Sequence, residues 1–78
     1  MNQELLNRIT INPAINKGRP SIRNMRFTVT QLLELLASGM TSSEILEDYP
    51  YLEAADISAC LAYAAALSQT KSVTKISA

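Results

Sequence analysis

Three stretches between residues 29 and 68 repeat apolar residues at helical spacing. The first two begin at capping boxes, because Thr28 is followed three residues later by Gln31, and Thr41 by Glu44. Gly39 is typical of the residue that ends a helix. The apolar positions are Val29, Leu32, Leu33 and Leu36 in the first stretch, Ile45, Leu46 and Tyr49 in the second, and Ile57, Cys60, Leu61, Ala64 and Leu67 in the third.

The second helix is short, since Pro50 forces the preceding residue out of helical conformation. A third helix is expected from about Glu53 to about Ser68, with Glu53 and Asp56 in its first turn, where the helix dipole favours negative charge. Three helices with such short connections predict a compact helical unit.

The segment before these helices reads as extended. Residues 8–11 alternate polar and apolar side chains, as a half-buried strand does, and turn signals follow at 12–13 and 17–20. A second extended piece covers residues 20–28, with a reversal at Asn24-Met25 whose turn type stays open. The predicted fold is mainly α: one domain over 1–78, with a strand or hairpin element (8–28), a three-helix bundle (29–68) and a polar tail (69–78).

Composition narrows the class of protein. The chain has 78 residues, 47% of them hydrophobic, and no apolar run near the length of a membrane span. No signal-peptide core is present and the single cysteine, Cys60, cannot form an internal disulfide, so we expect a cytoplasmic protein. Histidine is absent, and neither Cys60 nor the carboxylates have the spacing of a metal site or a nucleophile with its base. The sequence therefore argues against an enzyme or a cofactor.

Charge divides the chain into two halves. Residues 1–33 carry five bases against one acid, whereas residues 34–70 carry six acids and no base. This asymmetry favours a basic surface for an anionic partner, or two halves that neutralise each other across a self-association interface. The candidate DNA-binding residues are Lys17, Arg19, Arg23 and Arg26. Three arginines within eight residues suit phosphate or guanine contacts.

Interpretations without a nucleic-acid partner also fit both charge clusters. The bases can instead pair with the acidic cluster formed by Glu44, Glu47 and Asp48, which itself fits a solvated face or a surface for a basic partner. A helix-turn-helix interpretation is disfavoured, because the third helix would enter the DNA groove with Glu53 and Asp56 leading. The tyrosines at 49, 51 and 63 can stack on bases, but packing is their commoner role.

From about Arg8 to Ala66 the chain resembles the domain-of-unknown-function family 433. The motifs that carry the resemblance are Gly18-Arg19-Pro20, Ile22-Arg23, Arg26, ASGMT at 37–41, EILEDYP at 44–50 and LAYAA at 61–65. The resemblance implies a homeodomain-like helical bundle and, for many members, the role of a VapB-like antitoxin of a type II pair whose toxin is a PIN-domain ribonuclease. The chain departs from the family pattern at Asn24-Met25 (usually Gly-Thr), at Phe27-Thr28 (usually Ile-Pro) and at Glu53, where Ser or Thr commonly caps the helix.

The resulting hypothesis is an antitoxin that dimerises, binds operator DNA through the basic element and occludes its ribonuclease through its C-terminal part. The predicted partner-binding residues are Glu44, Glu47, Asp48, Lys71, Val73 and Ile76. Two alternatives remain: a stand-alone DNA-binding regulator, and an interaction module that joins protomers or a protein partner without nucleic acid.

We predict a homodimer or a higher oligomer, because 78 residues supply a small core and the strand before the first helix leaves an open edge. Light scattering at micromolar concentration should report about twice the mass of the chain. A monomer that unfolds cooperatively at high temperature would contradict this.

Overall fold

The structure, a computed structural model, describes residues 3–69. It is mainly helical, with a short antiparallel hairpin before the longer helices, which confirms the predicted fold class. In chain order the elements are α1 (Gln3–Leu6), β1 (Ile9–Thr10), β2 (Ser21–Ile22), α2 (Val29–Ala37), α3 (Ser42–Asp48) and α4 (Ala54–Ser68). Helix α4 is central, since α1, β1, α2 and α3 all pack against it. Within residues 3–69, no helix is long and apolar enough to cross a membrane.

Both predicted capping boxes form. The Thr28 hydroxyl accepts a hydrogen bond from the backbone N–H of Gln31 (3.0 Å), and the Gln31 side chain accepts from the backbone N–H of Thr28 (2.9 Å). Thr41 and Glu44 repeat this exchange at 3.2 and 2.8 Å. Gly39, just beyond α2, has a φ of 104°, a conformation that a residue with a Cβ rarely adopts. Local side-chain chemistry therefore fixes where α2 and α3 begin and where α2 ends.

Strand β1 pairs with β2 so that Ile9 faces Ile22 and Thr10 faces Ser21. Ser21 also bridges Thr28, the residue that caps α2. The second extended piece is consequently much shorter than predicted, with only two residues in the strand. Because Ser21 contacts both β1 and the start of α2, the hairpin is tied to the helical part of the molecule.

The chain reverses after β2, one residue earlier than predicted. The turn centres on Arg23 and Asn24, whose φ angles are 46° and 58°, as in the mirror-image type I′ turn, and the N–H of Met25 donates to the carbonyl of Ile22 (2.8 Å). The predicted reversal is therefore present, with its centre at Arg23-Asn24 rather than at Asn24-Met25. Ile22 is fully buried, and its N–H donates to the carbonyl of Phe27 (3.0 Å).

The hydrophobic core lies where α2, α3 and α4 meet β2. The fully buried residues of α4 lie in its N-terminal half, and beyond Cys60 the predicted stripe is only partly buried. The prediction was wrong for Leu61 and Leu67, which are 50% and 54% exposed, whereas Ala64 is half-buried. The buried apolar side chains are Ile22, Phe27, Val29, Leu32, Ile45, Leu52, Ile57, Ala59 and Cys60.

The left-handed turn predicts a difference between two substitutions at Asn24. Its side chain is exposed and makes no hydrogen bond within residues 3–69, so the backbone conformation decides the outcome. Asn24→Ala should lower the free energy of unfolding by about 1 kcal/mol, because alanine tolerates positive φ poorly. Asn24→Gly should leave it unchanged or raise it slightly. Urea unfolding measures the free energy of unfolding of both variants. Equal decreases for Asn24→Ala and Asn24→Gly would show that the positive φ does not determine the effect.

Candidate nucleic-acid interface

A buried carboxylate organises the N-terminal part of the molecule. Asp56, in the first turn of α4, has no exposed surface. Arg23 donates to it twice, from Nε to Oδ1 (3.0 Å) and from Nη2 to Oδ2 (2.7 Å). Arg8 donates from Nη1 to Oδ1 (2.9 Å) and also to Oε1 of Glu53 (2.7 Å). We call Arg8, Arg23, Glu53 and Asp56 the ion cluster.

The ion cluster joins three parts of the chain. The N–H of Arg23 donates to the carbonyl of Arg8 (2.8 Å), and its guanidinium donates to the carbonyl of Tyr51 (3.1 Å), which lies between α3 and α4. The second oxygen of Asp56 accepts from the backbone N–H of Glu53 (2.8 Å), which caps α4. Glu53 is too long to cap α4 well itself, as expected from its side chain, and Asp56 supplies the cap instead.

The electrostatics of the cluster favour the charged forms of Asp56, Arg8 and Arg23. Burial alone would raise the pKa of Asp56, but hydrogen bonds from Arg23, from the Glu53 N–H and from Arg8 outweigh it, so the pKa lies below its ordinary value. The hydrogen bond to Glu53 is the main cause that raises the pKa of Arg8, and the one to Asp56 raises that of Arg23. Two positive and two negative groups therefore neutralise each other.

Cys60 lies one helical turn from Asp56 on α4. Its side chain is buried, and burial, with the charge of Asp56 as a smaller cause, raises the pKa of the thiol to about 12. A thiol that is neutral and inaccessible to solvent is a poor nucleophile. Cys60 is therefore part of the core.

Three of the four predicted DNA-binding residues remain on the surface without an ion pair inside residues 3–69. Lys17, Arg19 and Arg26 are exposed, and we call them the basic surface. The Asn16 side chain ties their two loops together, because it donates to the Ser21 hydroxyl (2.7 Å) and to the carbonyl of residue 25 (2.9 Å). Arg23 differs, since its guanidinium is bound to Asp56.

Lys17 and Arg19 line a shallow depression of about 320 Å³ beside the start of α2, together with Asn16, Thr28 and Gln31. The chain bends sharply there, with positive φ at Asn16 (53°), Lys17 (56°) and Gly18 (80°) in two overlapping hydrogen-bonded turns. Arg26 does not line this depression.

The predicted partner-binding acids lie on α3. Glu47 and Asp48 are exposed, while Glu44, also exposed, uses its carboxylate in the α3 capping box. Within residues 3–69, none of these acids pairs with the predicted bases, and the partner of Arg23 is Asp56 instead. Lys71, Val73 and Ile76, with the rest of the predicted tail from residue 70 onward, lie outside the described residues.

The tyrosines pack against one another around Phe27. The ring centroid of Phe27 lies 4.9 Å from that of Tyr49 and 6.5 Å from that of Tyr51, in edge-to-face arrangements. Tyr63 is half-buried against the core. This geometry supports the packing role, although Tyr51 is 54% exposed.

A family model described as "Protein of unknown function (DUF433)" matches residues 9–64, well over half of the chain. The chain belongs to the DUF433 family. No curated protein and no solved structure gives a match. The match confirms the family resemblance, and the family's description assigns no function.

The DUF433 match covers both strands, α2, α3 and most of α4, and with them three members of the ion cluster. Arg8 directly precedes it. The sequence carried one signal of the cluster, the acid at the third position of α4, Asp56. Its arginine partners lie 33 and 48 positions away in the chain, and no local pattern identifies a contact of that range.

Asp56→Asn should lower the free energy of unfolding by about 2–3 kcal/mol, because it leaves the partly buried guanidinium of Arg23 without its anion and removes one of the two anions of Arg8. The matched control is Asp48→Asn, which removes the same charge from an exposed position and should change stability by less than about 0.5 kcal/mol. Urea unfolding at pH 7 compares the two. Equal midpoints for both variants would show that the ion cluster contributes little.

The same pair of variants tests the pH dependence. Because the pKa of Asp56 is lower in the folded state, its stabilisation is present above its unfolded pKa, about 3.9, and is lost as the pH falls through the folded value. The wild type should lose stability on acidification below about pH 4. Asp56→Asn should show a shallower loss in that range than Asp48→Asn.

Proposed function

We propose that this protein is the antitoxin of a type II toxin–antitoxin pair, binding operator DNA through the basic surface and neutralising a PIN-like ribonuclease. The observation that carries the DNA-binding half is which basic side chains form ion pairs within the protein and which do not. The ion cluster neutralises Arg8 and Arg23 internally, whereas Lys17, Arg19 and Arg26 are exposed without an ion pair in the described part of the chain. Three exposed cations on the hairpin element suit the phosphates of DNA.

The start of α4 supports this choice of surface over a recognition helix. Asp56 is buried, and Glu53 is engaged by Arg8. A helix that begins with two acids held by the protein's own arginines offers no donors to base edges in a major groove. DNA binding is therefore assigned to the loops around Lys17 and Arg26 instead.

The toxin-neutralising half is supported by the family resemblance and by the acids of α3. Glu47 and Asp48 are exposed and unpaired within residues 3–69, so they suit a basic surface on a nuclease that itself binds RNA. The tail residues Lys71, Val73 and Ile76 stay a prediction for the same partner. The proposed setting is cytoplasmic, with a dimer as the DNA-binding form.

The two alternative functions predict different binding partners. A stand-alone regulator would bind the same DNA and have no toxin. An interaction module would use the exposed acids and the basic surface to join copies of the chain, since each side offers the charges that the other lacks. Co-purification with the product of the adjacent gene, when that gene encodes a small PIN-like protein, supports the antitoxin. Failure to form a complex would favour one of the alternatives.

DNA binding through the basic surface predicts a specific salt dependence. If Lys17, Arg19 and Arg26 of both protomers neutralise phosphates, the logarithm of affinity should fall with the logarithm of salt with a slope of about −5 at most. Arg26→Ala should reduce that slope by about two, because one contact is lost from each protomer. Anisotropy titrations of the upstream DNA at several salt concentrations give the slope.

Arg23→Ala is the matched control, since it removes the same charge from the ion cluster. It should leave the salt slope close to that of the wild type at a temperature where the variant is folded, while lowering stability. The opposite result, a reduced slope for Arg23→Ala and none for Arg26→Ala, would reject the assignment of the basic surface. No DNA binding by the wild type at low salt, with and without the toxin, would reject the DNA-binding half.

A further inference from the structure

The depression beside the start of α2 is lined by positive charge and by no negative charge. The cationic side chains of Lys17 and Arg19 line it, and no carboxylate does. The neighbouring depression on the other side of Gln31 is different, because Glu34 and the rings of Phe27 and Tyr49 line it. An anion is therefore favoured in the first depression and disfavoured in the second.

The capping box fixes the orientation of Gln31 at the wall of this depression. Its Oε1 accepts from the backbone N–H of Thr28 (2.9 Å), and a backbone N–H can only donate. The oxygen of the amide must therefore face Thr28, which leaves the amide nitrogen with two donors for a ligand. Fixing this side chain in advance lowers the entropy cost of binding.

The remaining lining residues shape the depression. Both donors of the Asn16 side chain are used, by Ser21 and by the carbonyl of residue 25, so Asn16 holds the turn that carries Lys17. The helix end contributes little by itself, because the N–H of Val29 donates to the carbonyl of Pro20 (3.0 Å) and that of Gln31 to the Thr28 hydroxyl. The donors for a ligand are consequently Lys17, Arg19 and the amide nitrogen of Gln31.

We infer that this depression is a binding site for one phosphate group, held by Lys17, Arg19 and Gln31. A lysine, an arginine and an amide together offer donors to several oxygens of one phosphate, and the arginine can bind two of them. The phosphate can belong to the backbone of DNA or to a free phosphate ion. The first source rests on the proposed function and the second does not.

Gln31→Glu tests the site without disturbing the fold. Glutamate is equally suited to the third position of a capping box and to the first turn of a helix, so α2 should keep its start and its thermal stability. The substitution removes the two amide donors and places a negative charge at the wall of the depression. The matched control is Gln69→Glu, which makes the same chemical change at the far end of α4.

The first measurement is an amide chemical-shift titration of the labelled protein with inorganic phosphate at constant ionic strength and pH. The wild type and Gln69→Glu should show saturable shifts at residues 16–19 and 28–31. Gln31→Glu should bind phosphate at least about tenfold more weakly, because a dianion is repelled at close range. Chemical shifts that do not saturate in the wild type, or that are equally large in Gln31→Glu, would reject the phosphate site. This conclusion would hold whether or not the protein binds DNA.

The second measurement is anisotropy with the upstream DNA, and it separates the two sources. Weaker DNA binding by Gln31→Glu than by Gln69→Glu, by about fivefold or more, assigns the site to a backbone phosphate. A second outcome is that Gln31→Glu loses phosphate binding and the wild type does not bind DNA. The proposed function then fails, and the site is one for free phosphate. If instead both variants bind DNA equally, the site also belongs to free phosphate and the DNA contact lies elsewhere.

Discussion

The burial of Asp56 between two guanidiniums is the interaction on which the arrangement of this molecule depends. Removing a carboxylate from water is costly unless charges and hydrogen bonds replace the water, and Asp56 receives four such bonds. Three of them come from arginines of the hairpin element. A hairpin with two-residue strands is not stable by itself, so its attachment to α4 relies on this cluster and on the burial of Ile22 and Phe27.

The cluster also determines which charges are available to a partner. The chain is neutral overall, a balance that by itself indicates no anionic ligand. Once Arg8 and Arg23 are neutralised internally, the remaining bases of the hairpin element are all exposed, and the remaining acids of the described helices lie on α1, α2 and α3. Folding thus keeps the two signs on separate elements. A surface of one sign attracts an oppositely charged partner even when the net charge is zero.

The features that could be predicted from the sequence are those with local causes. A threonine three residues before Gln31 or Glu44 produces a capping box in almost any context, and Gly39 and Pro50 end helices for steric reasons. The exact centre of the turn after β2, the exposure of Leu61 and Leu67 and the role of Arg23 have distant causes. Each depends on which segment packs against which, and neither helical period nor turn composition contains that information.

The start of α4 and the turn after β2 form one structural unit through Asp56. One oxygen of its carboxylate caps α4 through the N–H of Glu53, and the same side chain holds the guanidinium of Arg23. Arg23 has a φ of 46°, which costs a non-glycine residue about 1 kcal/mol or more, and bonds to Asp56 and to the carbonyl of Arg8 offset that cost. Any change that frees Asp56 therefore weakens the helix cap and the turn together. The loops that carry Arg19 and Arg26 flank that turn, and the carboxylate that holds the turn against α4 has no exposed surface of its own.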